Sequence, residues 1–136
     1  MMKVSCAVFL PIPAIRPLWM LCAPKNSLVR QSLHACEGKT ATNGDGFGLA
    51  WYGEREEPGL FRDLRPAWSD ENLKSLCGQV RSPLFLAHVR AATQTATTRA
   101  NCHPFSCGRY SFMHNGQIGN YHRVRRRLEA LLPDQL

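Results

Sequence analysis

Apolar residues recur along the chain in short groups whose spacing predicts strands separated by helices. The strand-like groups are Ala7 to Leu10, Phe47 to Tyr52, Leu84 to Val89 and Arg109 to His114. In the second group Phe47, Leu49 and Trp51 alternate with Gly48, Ala50 and Tyr52. The small residues Gly48 and Ala50 therefore lie on one face of that strand. The turn residues Glu57-Pro58-Gly59 separate this group from Leu60-Phe61, which predicts an antiparallel hairpin.

Three other segments carry helix signals. Asn26 or Ser27 can cap a helix that runs towards His34, because either side chain accepts a hydrogen bond from a first-turn amide. Ser69-Asp70-Glu71-Asn72 places a hydroxyl cap and acidic residues ahead of leucines at helical spacing. The last predicted helix is Tyr121 to Leu132. Its apolar residues, which we expect on the buried side, are Val124, Leu128, Leu131 and Leu132.

Strands with helices between and after them predict an α+β architecture. The chain has 136 residues, which suits one domain with one core and is short for two lobes. A polar stretch from Ala91 to Cys107 has almost no regular pattern. Long patternless stretches inside compact domains are often functional, so we expect chemistry there.

The charge balance is basic, with 17 Lys and Arg against 10 Asp and Glu. Such a balance raises the question of nucleic acid, anionic membranes or acidic substrates as partners. The basic residues are scattered except in the last predicted helix, where Arg123 and the run Arg125 to Arg127 lie together. We interpret this group as a solvated helix face and expect neither a nucleic-acid nor a membrane partner.

The six cysteines are irregularly spaced, and Pro11, Pro13 and Pro17 interrupt the apolar amino terminus where a signal peptide needs a continuous run. We therefore expect reduced thiols, a buried Cys22 and a cytoplasmic location. The apolar runs are all shorter than the roughly 20 residues that span a bilayer.

Three short groups of residues have the composition of an acyl-transfer site. Arg90, at the end of an apolar strand, can hold a carboxylate through paired charge-assisted hydrogen bonds. Asn115 and Gly116, after the next strand, can donate to the oxygen of a tetrahedral intermediate. Taken singly, each motif is typical of ordinary structure. The segments Asn43 to Gly48 and His114-Asn115-Gly116 are typical of turns, and an arginine at the end of a strand is typical of a surface residue.

Together, the motifs resemble the class II glutamine amidotransferases, in particular the small stand-alone subgroup that includes the ergothioneine-pathway amidohydrolase. The matching motifs are Asn26-Ser27-Leu28, Gln31 to His34, Asn43 to Gly48, Trp51-Tyr52, His88-Val89-Arg90 with Thr93, His103-Pro104-Phe105 and His114 to Gln117. The resemblance extends from about Pro24 to Pro133. It makes residues 1–136 one partial amidotransferase domain, with an atypical amino terminus over residues 1–23.

The resemblance implies an amino-terminal nucleophile hydrolase fold, an αββα sandwich of two antiparallel sheets between helical layers. It implies that Arg90 binds the glutamine α-carboxylate and that Asn115 and Gly116 form the oxyanion hole. The further substrate-binding residues that it implies are Asp45, Gly46, Thr93 and His114. The reaction needs no metal or organic cofactor, its substrate is glutamine, and an ammonia-accepting synthase is the expected partner.

In this family the nucleophile is a cysteine at the first position of the mature chain, and its own α-amine is the base. Cys6 is the candidate, because it leads the first predicted strand at nearly the family's distance from Pro24. Five residues precede it, so cleavage after Ser5 is required to free the amine. The thiolate would form a glutamyl thioester, release ammonia and be regenerated by water.

The family also has a later acidic segment that binds the glutamine amino group, and this chain ends at Leu136 without it. We therefore expect the amino-terminal half of the domain, truncated or encoded in pieces, with a missing carboxy-terminal half as partner. A catalytically inactive remnant, or a binding subunit of a split amidotransferase, is the main alternative. A metal-binding module is disfavoured because its candidate ligands lack close Cys-x-x-Cys pairs. Those ligands are Cys102, His103, Cys107, His114 and His122.

Overall fold

The computed structural model describes residues 21–34, 41–92, 96–116 and 118–133, and residues 7–11 by their backbone. The described part is a mixed fold of helices and antiparallel sheets. Its main sheet consists of β1 (Ala7–Pro11), β2 (Phe47–Tyr52), β3 (Gly59–Asp63) and β4 (Leu84–Val89), in the order β1-β4-β2-β3. All neighbours are antiparallel. The predicted strands of this sheet and the β2–β3 hairpin are confirmed.

The two faces of the main sheet are chemically different, because alternate residues of a strand point to opposite sides. One face is the apolar core, where Phe85, Ala87 and Val89 of β4 lie beside Phe47 and Leu49 of β2. The helical side of the fold covers this face with Leu21, Leu28, Ala67, Leu73 and Cys77. The opposite face carries the small residues of β2, as the alternation predicted, and is the face on which the candidate site is built.

Two of the predicted helices pack against the core. Helix α1 (Leu28–Leu33) begins at Ser27, whose Oγ accepts a hydrogen bond from the backbone N–H three residues later at 3.3 Å. Helix α2 (Glu71–Gln79) begins at Asp70, whose carboxylate accepts the equivalent bond at 2.7 Å. The cap of α2 is thus Asp70 and not the hydroxyl of Ser69, because the completely buried carboxylate is the group that faces the first turn.

A second, two-stranded sheet lies against the small-residue face. Its strands are β5 (Phe105–Cys107) and β6 (Tyr110–Phe112). The Tyr52 hydroxyl at the end of β2 lies 2.9 Å from the carbonyl oxygen of Arg109 and 3.0 Å from Oγ of Ser111. These contacts fasten the hairpin to the main sheet.

The sequence pattern failed in this region in two respects. Strand β5 lies inside the stretch that showed no pattern, and the strand predicted from Arg109 to His114 is reduced to the three residues of β6. Both strands are short and mostly exposed, so they lack the apolar periodicity by which strands are recognised.

The expected burial of the last helix is wrong for this chain. Helix α3 (Tyr121–Glu129) forms, but Leu128, Leu131 and Leu132 in and after it are 41%, 80% and 55% exposed. Its arginines are exposed as well, as expected for a solvated face. The apolar stripe of α3 is present in the sequence, but nothing in the described part of the chain packs over it to bury it.

The expectation of reduced thiols is also wrong for one pair. Cys22 and Cys77, 55 residues apart in sequence, form a disulfide, because the segment before α1 lies against α2. Cys102 is a buried free thiol and Cys107 an exposed one. The cytoplasmic location, inferred in part from reduced thiols, stays a prediction. Among the described residues no helix has the length and apolar character needed to cross a membrane.

Candidate functional site

Arg90 directly follows β4 and is only 6% exposed. Its Nη1 donates to the carbonyl oxygen of Asp45 at 3.2 Å, and its Nη2 donates to the carbonyl oxygen of Ala96 at 3.1 Å. Its backbone N–H donates to Gly46 at 2.9 Å, and its carbonyl accepts from the N–H of Asp45 at 3.0 Å. Arg90 therefore ties the loop before β2 to the segment after β4, and carbonyl dipoles stabilise its buried charge.

The Asp45 carboxylate supports the same corner. Its Oδ2 accepts a hydrogen bond from the backbone N–H of Ala92 at 2.7 Å. This contact fixes the direction in which the chain leaves Arg90. The structure thus assigns Asp45 an orienting contact, and the contact with substrate remains a prediction.

Asn115 follows the second strand of the small sheet and reaches the main sheet through its side chain. Its Oδ1 lies 3.2 Å from Nε2 of His88 in β4. The His88 side chain is buried, and the residue pairs with Ala7 of β1 on one side and Gly48 of β2 on the other. The predicted oxyanion-hole side chain therefore lies against the end of β4, an inner strand of the main sheet, opposite the beginning of β1.

Three histidine rings lie close together where the small sheet meets β4, tilted or edge-on to one another. The ring centroid of His103 lies 4.6 Å from those of both His88 and His114, and 4.4 Å from that of Phe105. Burial, and then repulsion from His103, lowers the pKa of His88 to about 4, although the hydrogen bond to Asn115 opposes the shift. Burial, followed by the charges of His114 and Arg90, lowers the pKa of His103 to about 4. Both rings are therefore neutral near pH 7.

Two glycines are required by the geometry of the site. At Gly48 an added Cβ would lie 2.2 Å from the carbonyl oxygen of His103, so only glycine lets that backbone pass against β2. At Gly116 the φ angle is +116°, in the region that favours glycine. Gly116 directly follows Asn115 in sequence, and the role of its backbone N–H in an oxyanion hole stays a prediction.

The structure brings together some of the predicted site residues, and others lie outside the described residues. Asp45, Gly46 and Arg90 form one cluster, and His114 and Asn115 lie beside His88 in the other. Cys6 and Thr93 lie outside the described residues, so their predicted roles stay predictions. The metal-binding alternative finds no ligand set in the described ranges, where no three His, Cys, Asp or Glu side chains are arranged to hold an ion.

Sequence reasoning gave His88 no role and named His103 only as a ligand of the disfavoured metal-binding alternative, although both lie in the motifs that it singled out. His88 could have been recognised because it is a histidine within an apolar strand, and a buried polar ring needs a hydrogen-bond partner. His103 gave no such signal. Its position depends on the close approach to Gly48, which joins residues 55 positions apart.

Comparisons with known proteins identify the family of this chain. The family model described as "Glutamine amidotransferases class-II" matches residues 20–131. A solved structure, a glutamine aminotransferase class-II domain protein from Silicibacter pomeroyi, is 48% identical with a TM-score of 0.55. The match covers 67% of this chain and 38% of that one.

Curated relatives point to the same family. "Probable glutamine amidotransferase DUG3" of Saccharomyces cerevisiae is 36% identical over 129 residues, which are 89% of this chain and 36% of that protein. A glutamine–fructose-6-phosphate aminotransferase of Bacillus licheniformis is 38% identical over 73 residues, covering 52% of this chain and 11% of that enzyme.

The mixed fold with antiparallel sheets and the solved class II glutamine aminotransferase neighbour place this chain among the amide-transfer domains. The chain belongs to the class II glutamine amidotransferase family. It spans little more than a third of the length of the yeast relative and of the solved bacterial chain.

Proposed function

We propose that this chain is the glutamine-binding amino-terminal half of a domain that hydrolyses the side-chain amide of glutamine and releases ammonia. The observation that carries the proposal is the partly buried contact of Asn115 with His88, a residue that lies two positions before the buried Arg90. Layering of helices, main sheet and small sheet supports an amino-terminal nucleophile hydrolase fold for the complete domain.

Cys6 is the proposed nucleophile. Ala7, the next residue in sequence, is the register partner of His88, whose side chain contacts Asn115. Three of the four described cysteines are poor substitutes. Cys22 and Cys77 are bonded to each other, and burial raises the pKa of the Cys102 thiol. A raised pKa depletes the thiolate that attacks substrate.

In the proposed reaction the α-amine of Cys6 takes the thiol proton, and the sulfur attacks the amide carbon of glutamine. The developing oxyanion accepts hydrogen bonds from the side-chain N–H of Asn115 and the backbone N–H of Gly116. The amine then passes its proton to the leaving nitrogen, so ammonia departs and a thioester remains. Water cleaves the thioester, giving glutamate and free Cys6.

Arg90 is proposed to bind the α-carboxylate of glutamine. A guanidinium can form paired hydrogen bonds with a carboxylate, which fixes the substrate in direction as well as in position. The other proposed residues of the glutamine pocket are Asp45, Gly46, Thr93 and His114. An ammonia-accepting synthase remains a proposed partner, and a relative that is an aminotransferase acting with fructose 6-phosphate supports this kind of coupling.

We also propose that a carboxy-terminal half completes the domain, on this polypeptide or on another. The yeast and bacterial relatives are more than twice as long as the part that this chain matches. Among the described residues, seven of the nine exposed large apolar side chains lie on or next to α3 and the small sheet, where we propose that the other part of a two-sheet sandwich packs. These residues are Tyr110, Phe112, Ile118, Tyr121, Leu128, Leu131 and Leu132.

The activity test measures glutamate released from glutamine by the chain with Cys6 as its first residue. It is run alone and with the remaining part of the Silicibacter pomeroyi chain as a complementing half. Turnover is expected to disappear in Cys6→Ala and to persist in Cys107→Ala, which removes an exposed thiol from the small sheet. Turnover in Cys6→Ala would refute the assignment. Glutamine binding without turnover would favour the binding-subunit alternative.

The complementing half is tested by association on size-exclusion chromatography. Leu128→Ser is expected to weaken association, because it removes an exposed leucine from the apolar stripe of α3. Arg126→Ser, on the opposite side of the same helix, is the matched control and is expected to have little effect. Equal behaviour of the two variants would place the complementing half elsewhere.

A further inference from the structure

We propose that His88 is a positioning residue for Asn115: its Nε2–H binds Oδ1 and so turns the amide nitrogen of Asn115 towards the developing oxyanion. Only the effect on the oxyanion rests on the proposed function, since the oxyanion belongs to the glutamine reaction. The hydrogen bond and its directional consequence concern the folded chain alone. His88 itself touches no reacting atom and is not a catalytic residue.

The argument begins with the two ends of the Asn115 amide. One end accepts hydrogen bonds and the other donates them, so the group stabilises an oxyanion only when the NH2 end faces it. The end facing His88 is Oδ1, at 3.2 Å from Nε2. A proton on Nε2 makes this orientation favourable, whereas a bare Nε2 would attract the NH2 end and reverse the amide.

The environment of His88 leaves one suitable tautomer. The ring is buried, and its pKa near 4 leaves it neutral at pH 7 with a single proton. In the described part of the chain Nδ1 has no hydrogen-bond partner, whereas Nε2 has Asn115. A proton on Nε2 can therefore be donated to Asn115, whereas a proton on Nδ1 would be a buried donor with no acceptor among the described residues.

The surroundings also hold the ring in place. Its residue is paired on both sides, with Ala7 of β1 and Gly48 of β2, and the ring of His103 packs at 4.6 Å. Asn115 lies beyond the end of β6, and its side chain meets β4 through His88. A residue held by strand pairing on both sides thus helps to orient Asn115, which is how a supporting residue tunes a reacting one.

The kinetic test uses two substitutions of similar size. In His88→Gln the side-chain amide can still donate from the position of Nε2, whereas in His88→Asn the donor is too short to reach Asn115. Removing an oxyanion donor lowers kcat by about 10²–10³, so Asn115→Ala is expected in that range. His88→Asn is expected to lower kcat by about tenfold or more with KM within about twofold, and His88→Gln to lower it clearly less.

The double variant His88→Asn with Asn115→Ala separates positioning from a general structural role. If His88 acts through Asn115, adding His88→Asn to Asn115→Ala changes kcat by no more than about twofold. Multiplicative losses, or equal losses in the Gln and Asn variants, would overturn the proposal.

A spectroscopic measurement tests the contact between His88 and Asn115 independently of whether the chain hydrolyses glutamine. In the uniformly ¹⁵N-labelled full chain at pH 7, long-range ¹H–¹⁵N spectra should find the His88 proton on Nε2. The side-chain amide signal of Asn115 should shift in His88→Asn and shift less in His88→Gln. A proton on Nδ1, or an Asn115 signal unmoved by His88→Asn, would overturn the proposal even if glutamine is turned over. The expected spectra would support the positioning contact even if the chain turns over no glutamine.

Discussion

Replacing Gly48 with alanine is expected to destabilise the chain where the two sheets meet. Gly48 lies in β2 beside His88, and a Cβ at this position would be 2.2 Å from the carbonyl oxygen of His103. The same Cβ would be 2.8 Å from Cγ of Arg62. The oxygen belongs to the backbone, so a rotamer change cannot remove the overlap.

The magnitude follows from the size of the displacement. Ordinary contact begins at 3.4 Å, so the backbone at His103 must move by more than 1 Å. Overpacking of this kind costs about 1–3 kcal/mol, and we expect the upper end because backbone must yield. The reduced flexibility of alanine in the unfolded chain offsets only about 0.4–1 kcal/mol. With a urea m-value of about 1–3 kcal/mol/M, the unfolding midpoint should fall by about 1 M or more.

Equilibrium urea unfolding followed by tryptophan fluorescence measures this change, since Trp51 lies in the same strand as Gly48. Gly53→Ala is the matched control, because a Cβ there meets no atom within 4 Å. If Gly48→Ala and Gly53→Ala unfold at the same urea concentration, the close approach of His103 to β2 is wrong. The contact between the His88 and His103 rings, which depends on that approach, would then be wrong as well.

Three further predictions concern stability. Asp70→Ala should lower the free energy of unfolding by about 1–2 kcal/mol in urea, because it removes the cap of α2. Reduction of Cys22–Cys77 should lower it by up to about 4 kcal/mol, because the bond closes a loop between residues 55 apart. The pKa of His88 is about 4 in the folded chain against an ordinary 6.5, so between these values the unfolded chain binds more protons. Stability should therefore fall as pH falls through this window, by at most about 3 kcal/mol from His88.

Each of these predictions has a control. Asp70→Asn keeps a capping oxygen and should lose less stability than Asp70→Ala, so equal losses would contradict the cap. The double serine variant of Cys22 and Cys77 should not respond to reductant, and an equal response would locate the redox effect elsewhere. His88→Gln removes one titrating ring, and an unchanged dependence of stability on pH between about 4 and 6.5 would contradict the lowered pKa of His88.

Local sequence determined the elements that have strong periodicity or a clear cap. The alternation in Phe47 to Tyr52 and the apolar run of Leu84 to Val89 gave β2 and β4 with their bounds. The polar cap at Ser27 gave the beginning of α1. In each case the signal depends on residues within one turn or strand, so it can be recognised without knowledge of the fold.

The sequence also determined the family, because the order of its motifs is specific even where each motif is common. Arg90, Asn115 and Gly116 were selected in this way, and the structure brings the Asn115 side chain to His88 of β4, two residues before Arg90. What the sequence misjudged was burial on α3, since a stripe of leucines predicts an apolar face but not whether a partner covers it.

Only the tertiary structure decided which distant residues meet. The disulfide between Cys22 and Cys77, the approach of His103 to Gly48, and the contact of His88 with Asn115 join residues that are separated by 27 to 55 positions. No local propensity encodes such pairs, because they arise when sheet register and layer packing place two segments together. The candidate residues were therefore present in the sequence, whereas the support that orients them depends on the fold.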